Sequence, residues 1–231
     1  MTIKPLAEDL HIIPGLVNIY LFHTKDGLAV LDTGFSGSLN KILGGVAALG
    51  KQPGDLRHIL LTHGHPDHIG SAAALKRATG AAVWSHPVDA PIIRAGTGFR
   101  DTYPSPGLRN KVLYRLVSKS VKDVEPTEVD HFLEDGESPP FLPDLTAIHS
   151  PGHSAGQIAF HWQRHGGVLF TADTCISRNG FKLTMSYEDI SVARKSLAKF
   201  RDLDFEMACF MHGPPIKSSA DELFRQTSFD R

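Results

Sequence analysis

Within Thr62-His63-Gly64-His65-Pro66-Asp67-His68, three imidazoles and one carboxylate fall inside six consecutive positions, directly after an apolar run that ends at Leu61. In an extended stretch alternate side chains point the same way, so His63 and His65 can grip one metal ion from one side. Pro66 ends the extended run, and Asp67 and His68 fall where the next helix begins. The chain turns there, which lets their side chains reach a second ion close by. Imidazole nitrogen with carboxylate oxygen suits zinc, and at the harder end iron or manganese. The competing interpretation, a polar loop with solvated histidines, has to place four donors at one strand end by accident. The chain carries 13 histidines, but number alone argues little; spacing does.

The elements that must position these donors follow from hydrophobic periodicity. Asp9–Ile13 and Val17–His23 read as strands separated by Pro14-Gly15, and Lys25-Asp26-Gly27 turns the second into Gly27–Leu31. Ser36–Leu49 has helical spacing and stops at Gly50, His58–Thr62 is a short strand, and Asp67–Thr79 reads as one helix ending at Gly80. Ala81–Ser85, Leu145–His149, Gln157–Trp162, Val168–Ala172 and Met207–Met211 are further strands. Ser191–Phe200 and Ala220–Gln226 are helical. Strands followed by helices in each half imply a sheet core flanked by helices.

Composition bounds the function. With 24 Lys+Arg against 25 Asp+Glu, the formal net charge is −1, so there is no general case for nucleic acid as partner. A chain of 231 residues that is 41% hydrophobic and 21% charged can build a core without staples, which argues against disorder. No apolar run approaches the ~20 residues that span a bilayer. The start, Met1-Thr2-Ile3-Lys4-Pro5-Leu6, lacks an apolar signal core, so a cytoplasmic protein is expected. Cys175 and Cys209 imply no disulfide framework. A small-molecule substrate is expected, and the sequence permits a homodimer.

Further along, four short motifs repeat the pattern of a polar residue at a strand end: Asp32-Thr33-Gly34, Ser150-Pro151-Gly152-His153-Ser154, Phe170-Thr171-Ala172-Asp173-Thr174 and Met211-His212-Gly213-Pro214. Taken singly each is a turn or a structural histidine. With His63-x-His65-x-Asp67-His68, in this order from about residue 30 to 214, the chain resembles the metallo-β-lactamase-fold hydrolase superfamily. That resemblance implies an α+β fold, an αββα sandwich of two mixed β-sheets flanked by helices, forming a single domain over 1–231 with a helical insertion at about 87–128.

The resemblance also implies the ligands. His63, His65 and His153 would hold one divalent ion, and Asp67, His68 and His212 the other. Asp173 would bridge them with one oxygen to each, and Asp32 would hydrogen-bond a ligating histidine rather than touch metal. Two dications repel strongly, so an anionic bridge between them is needed. The ions would be zinc, with iron or manganese as alternatives. A hydroxide between them, available because coordination lowers the pKa of water toward ~7, would attack the carbonyl of a small ester, thioester or lactone. Asp67, or a metal-bound water, would then serve the leaving group. Phosphodiester cleavage is the same-site alternative.

Departures from named branches narrow the field. β-Lactamases of the fold usually lack the bridging Asp, which argues against antibiotic hydrolysis. Only 18 residues follow Gly213, so the helical glutathione-binding domain of glyoxalase II enzymes is expected to be absent. Lactonases acting on acyl-homoserine lactones tend to place Tyr where Ile176 stands. Another branch holds a single iron and oxidises persulfides, with ligands of the His63, His65/His153 and Asp173 type and His68 and His212 unused for metal. A non-catalytic metal module is the remaining rival.

Substrate choice falls to two irregular stretches. In the insertion, Leu108–Val121 reads as a cap helix packed over the sheet edge through Leu108, Val112, Leu116 and Val117, with Arg109, Lys111, Arg115, Lys119 and Lys122 on a solvated basic face; a pocket wall attracting an acidic substrate or a membrane surface is the alternative. In Ser177–Tyr187, Phe181, Leu183 and Met185 either line an apolar pocket or belong to the core, and Tyr103 and Tyr187 are candidate oxyanion donors. Cys175 reads as a small buried hydrophobe. The remaining histidines read as structural, with His86 and His149 lying near site-bearing strand ends.

Overall fold

Alternation along β3 (Ile19–Thr24) shows how the layers form: Tyr20 and Phe22 face one apolar cluster, Ile19 and Leu21 another. A computed structural model describes residues 3–97, 99–117 and 123–229. Before that strand come β1 (Lys4–Ala7) and β2 (Leu10–Ile13); after it come β4 (Gly27–Leu31), α1 (Leu39–Ala48), β5 (Leu56–Leu60), α2 (Pro66–Ile69), α3 (Ala72–Thr79), β6 (Ala82–Ser85) and α4 (Ala90–Ala95). Then follow β7 (Tyr103–Pro104), α5 (Leu108–Val117) and β8 (His131–Phe132). The last part holds β9 (Leu145–His149), β10 (Ile158–Trp162), β11 (Val168–Phe170), β12 (Ile176–Ser177), β13 (Phe181–Lys182), β14 (Ser186–Tyr187), α6 (Ile190–Lys199), β15 (Met207–Cys209) and α7 (Ala220–Gln226).

One sheet runs β1-β2-β3-β4-β5-β6-β8, antiparallel up to β4 and parallel from β4 to β8. The other runs β15-β11-β10-β9, with β11 and β15 parallel and the rest antiparallel. Tyr20, Phe22, Phe160, Trp162 and Phe170 fill the space between the sheets. Ile42, Val46, Leu75 and Ile93 seal helices α1, α3 and α4 onto the first sheet, and Leu197 and Phe224 seal α6 and α7 onto the second. This is the αββα sandwich of mixed sheets. Among the described residues no helix is long and apolar enough to cross a membrane.

Two expectations need correction. The helix over Asp67–Thr79 is two helices, broken at Gly70-Ser71. A Cβ on Gly70 would stand 2.3 Å from the Ser36 nitrogen, so the backbone of the Phe35–Ser36 loop is pressed against the break. Helix α5 does not pack through its apolar stripe: Leu108 is 78% and Leu116 69% exposed, and its anchors are β7 and the Tyr114 hydroxyl on the Thr102 carbonyl. Lys119, Lys122 and the expected helix end at Val121 lie outside the described residues, as do Met1 and Thr2. Of the two readings open for Phe181, pocket wall or core, the structure shows core, edge-on to Phe210 and Phe224.

Candidate metal centre

All the motifs follow the carboxyl ends of strands: Asp32 after β4, His63 to His68 after β5, His153 after β9, Asp173 after β11 and His212 after β15. His65 Nδ1 lies 3.1 Å from His63 Nε2 and 2.9 Å from His153 Nε2, so three ring nitrogens converge on one point. His153 comes from the opposite sheet. Tetrahedral coordination at about 2.0–2.1 Å sets ligand nitrogens about 3.3 Å apart, a spacing this triangle meets with little adjustment.

The second group is Asp67, His68 and His212. Asp67 Oδ2 lies 3.5 Å from His68 Nε2 and 3.4 Å from His212 Nε2. Asp173 stands between the two groups, its Oδ2 lying 3.5 Å from His153 Nε2, 3.7 Å from His68 Nε2 and 3.2 Å from His212 Nε2. Oδ2 thus faces both groups, while Oδ1 is buried beside it. Ala172, just before it, holds a left-handed φ of 47°, a strained turn that throws the Asp173 carboxylate inward.

Four of the five rings are fixed by their other nitrogen. His63 Nδ1 donates to Thr62 Oγ1 at 2.9 Å, and the Thr62 hydroxyl donates to Asp32 Oδ2 at 2.8 Å. His68 Nδ1 donates to the same Asp32 oxygen at 2.8 Å. His153 Nδ1 donates to the Ser186 carbonyl at 2.8 Å, and His212 Nδ1 to the Leu16 carbonyl at 2.9 Å. These bonds select the tautomer whose Nε2 is a free lone pair aimed inward.

A metal fits this donor set. His68 Nε2 and Asp173 Oδ1 are buried polar atoms with no hydrogen-bond partner, a costly arrangement unless a cation satisfies it. Charge argues likewise. Burial would raise the Asp67 and Asp173 carboxyls, but the neighbouring imidazoles hold both below the usual carboxylate range. The carboxylates in turn outweigh burial at His68, which is pushed well up, and at His212, which rises to about 10. Burial first, then crowding by neighbouring imidazoles, drives His63 down and His65 to about 3. The carboxylate end therefore demands positive charge, and the three-histidine end offers neutral lone pairs. His63, His65 and His153; His63, His68 and Asp173; and Asp67, His68 and His212 are each near enough to share one ion.

All seven sequence-predicted ligands are thus brought together, and Asp32 lies behind them. Unforeseen were Thr62 as the link between His63 and Asp32, and the two carbonyl acceptors at Leu16 and Ser186; carbonyls carry no residue signature. Tyr187 is no oxyanion donor, because its hydroxyl donates to the Thr174 carbonyl at 2.8 Å. His86 and His149 stack on each other at 4.1 Å, outside the cluster. Cys175 is buried, and burial raises its thiol.

Comparison with known proteins places these motifs in context. The family described as the metallo-beta-lactamase superfamily matches residues 12–212. An uncharacterized Bacillus subtilis protein, YobT, is 29% identical over 169 residues, covering 73% of this chain and 66% of YobT. A hydroxyacylglutathione hydrolase of Cereibacter sphaeroides is 30% identical over 173 residues, covering 73% of this chain and 52% of that enzyme. The chain therefore spans between half and two thirds of the length of these two relatives. Among solved structures, the metallo-beta-lactamase MIM-1 of Novosphingobium pentaromativorans superposes with a TM-score of 0.74 at 22% identity, over 97% of this chain and 85% of that one. BJP-1 of Bradyrhizobium japonicum, a subclass B3 metallo-beta-lactamase, gives 0.73 at 23% identity over 97% and 88%. At these identities the structures speak to the fold.

Proposed function

The chain belongs to the metallo-beta-lactamase superfamily, and we propose that it acts there as a dinuclear metal hydrolase of small esters, thioesters or lactones, the chain working as one catalytic domain. The observation that carries this reading is Asp173 Oδ2, which faces His153 of one donor group and His68 and His212 of the other. A lone ion would leave one group idle, as the single-iron oxidoreductase alternative leaves His68 and His212.

Two divalent ions, zinc or else iron or manganese, would supply Lewis acidity there and acidify a water toward neutral pH. The protein residues do the remainder. His63, His65 and His153 hold one position, Asp67, His68 and His212 the other, and Asp173 keeps the two positions close by lowering their mutual repulsion. Asp67 is the more accessible carboxylate, with 26% of its side chain exposed against 4% for Asp173; being ionised, it would take up the proton that the attacking water gives up and pass it to the leaving group. The relatedness to a hydroxyacylglutathione hydrolase supports a thioester among the substrates.

The test is a hydrolase panel of p-nitrophenyl esters, γ- and δ-lactones and glutathione thioesters, run with metal counting on wild type and Asp173→Ala. Wild type should bind two ions and turn over at least one acyl class. The substitution should cut turnover by on the order of 10²–10³ and disturb both ions. Full activity in Asp173→Ala, or one iron per chain in protein purified without added zinc, overturns the reading.

A further inference from the structure

We infer that Asp89 is a positioning residue that sets the spacing of the three-histidine group, braced by Arg100 from the inserted segment; this rests on the metal-centre reading above. Asp89 is fully buried and stands where Asp89-Ala90-Pro91 would suggest a helix cap, yet its side chain makes no capping bond to α4. It is spent on the site instead. Oδ2 accepts from the Gly64 N–H at 2.9 Å and the Ser154 hydroxyl at 2.6 Å. Oδ1 accepts from the Gly156 N–H at 3.0 Å and Arg100 Nη1 at 2.6 Å. Gly64 lies between His63 and His65, and Ser154 follows His153. A single carboxylate therefore ties the loop of two ligands to the loop of the third, across the two sheets.

The surroundings are shaped for this role. A Cβ on Gly156 would stand 2.6 Å from both the Asp89 backbone nitrogen and Asp89 Oδ1, so this position cannot carry a side chain and still approach the start of α4; at Gly64 a Cβ would meet the Ile92 side chain at 2.6 Å. Arg100 also donates to the Val88 carbonyl at 2.7 Å and pairs with Glu188, whose other oxygen accepts from the Ala155 N–H at 2.9 Å. Burying a carboxylate is costly unless donors surround it. Here four do, and a group so fully engaged has little freedom to move. The distance it fixes is that between His65 Nδ1 and His153 Nε2.

Asp89→Asn keeps the shape but turns an amide N–H₂ toward groups that are themselves donors. Ions per chain, chelator competition for each ion and the absorption bands of cobalt-substituted protein separate positioning from bulk stability. The expected result is about 10–100-fold weaker affinity for the three-histidine ion, with the Asp67/His68/His212 ion retained and the bands of cobalt at the three-histidine position altered. Arg100→Gln should move the same quantities in the same direction by less, and it decides the question if Asp89→Asn does not fold. Unchanged affinity for both ions overturns the inference, as does joint loss of both in step with thermal unfolding. Wild type that binds no metal removes both this inference and the function above. Wild type that binds two ions without hydrolysing the panel removes the function alone, and the split in affinity still decides the role of Asp89.

Discussion

Asp32 Oδ2 and His68 Nδ1 lie 2.8 Å apart with both side chains sealed from solvent. The same carboxylate accepts from the Thr62 hydroxyl and the Thr62 N–H, each at 2.8 Å, so one anion orients a ring in each donor group: His68 directly and His63 through Thr62. Asn tolerates the left-handed φ of 59° at this position, which makes Asp32→Asn a test of charge and acceptor count alone. Metal affinity should fall about 10–100-fold by chelator competition. Stability of the metal-free protein should fall by about 1–3 kcal/mol in denaturant titration. Wild-type affinity in the variant would mean that ring orientation is set elsewhere.

Gly70 should not accept even one methyl. Its backbone is ordinary helix, with φ of −58°, so the obstacle is space: a Cβ would meet the Ser36 nitrogen at 2.3 Å, the Phe35 carbonyl carbon at 2.6 Å and the Pro66 oxygen at 2.6 Å. None of these is a flexible side-chain end. Gly70→Ala should therefore cost about 1–3 kcal/mol in chemical denaturation. It should also loosen the Thr33 N–H bond to the His68 carbonyl, 2.8 Å in the wild type, seen as faster amide exchange at Thr33. Wild-type stability would show that the Phe35–Ser36 loop yields freely.

Asp130 gives a pH signature away from the metal centre. Partial burial would raise its carboxyl, but Lys76, 2.7 Å away, and the Val83 N–H outweigh this and hold it below its ordinary value of 3.8. A depressed folded pKa means that the unfolded chain takes up the proton more readily. The stabilisation is therefore complete above 3.8 and is lost as the pH falls below it. With metals chelated, Asp130→Asn should cost about 0.5–1 kcal/mol at neutral pH, a solvent-screened value. The gap to wild type should close on acidification below that point. A gap that persists unchanged to pH 2 would show that the interaction does not depend on charge.

The donors and their order were readable because metal chemistry restricts residue type: His63 to His68, His153, Asp173 and His212 each carry a ligand identity in the side chain itself. Strands were readable for a similar reason, since alternation in Ile19–Phe22 or Ile158–Trp162 follows from two buried faces. What stayed hidden depends on backbone atoms and long-range proximity. Leu16 and Ser186 act through carbonyls that any residue possesses. The helix break next to Gly70, where Phe35 and Ser36 press on the chain, leaves no mark in the periodicity, and Asp89 resembles an ordinary cap until the loops at Gly64 and Gly156 are seen beside it. The apolar face of α5 was misread because periodicity reports a stripe, not what covers it.

The Leu16 carbonyl that steadies His212 belongs to the opposite end of the chain, and Asn18 reinforces the meeting by donating to the Phe210 and Gly213 carbonyls at 2.9 and 2.7 Å. An ion held through that ring would therefore lean on a bond between segments 196 positions apart, and would sit in its full setting only once both ends of the chain have come together. A protease nick that frees residues 14–18 would leave every ligand in the polypeptide and still disarm it.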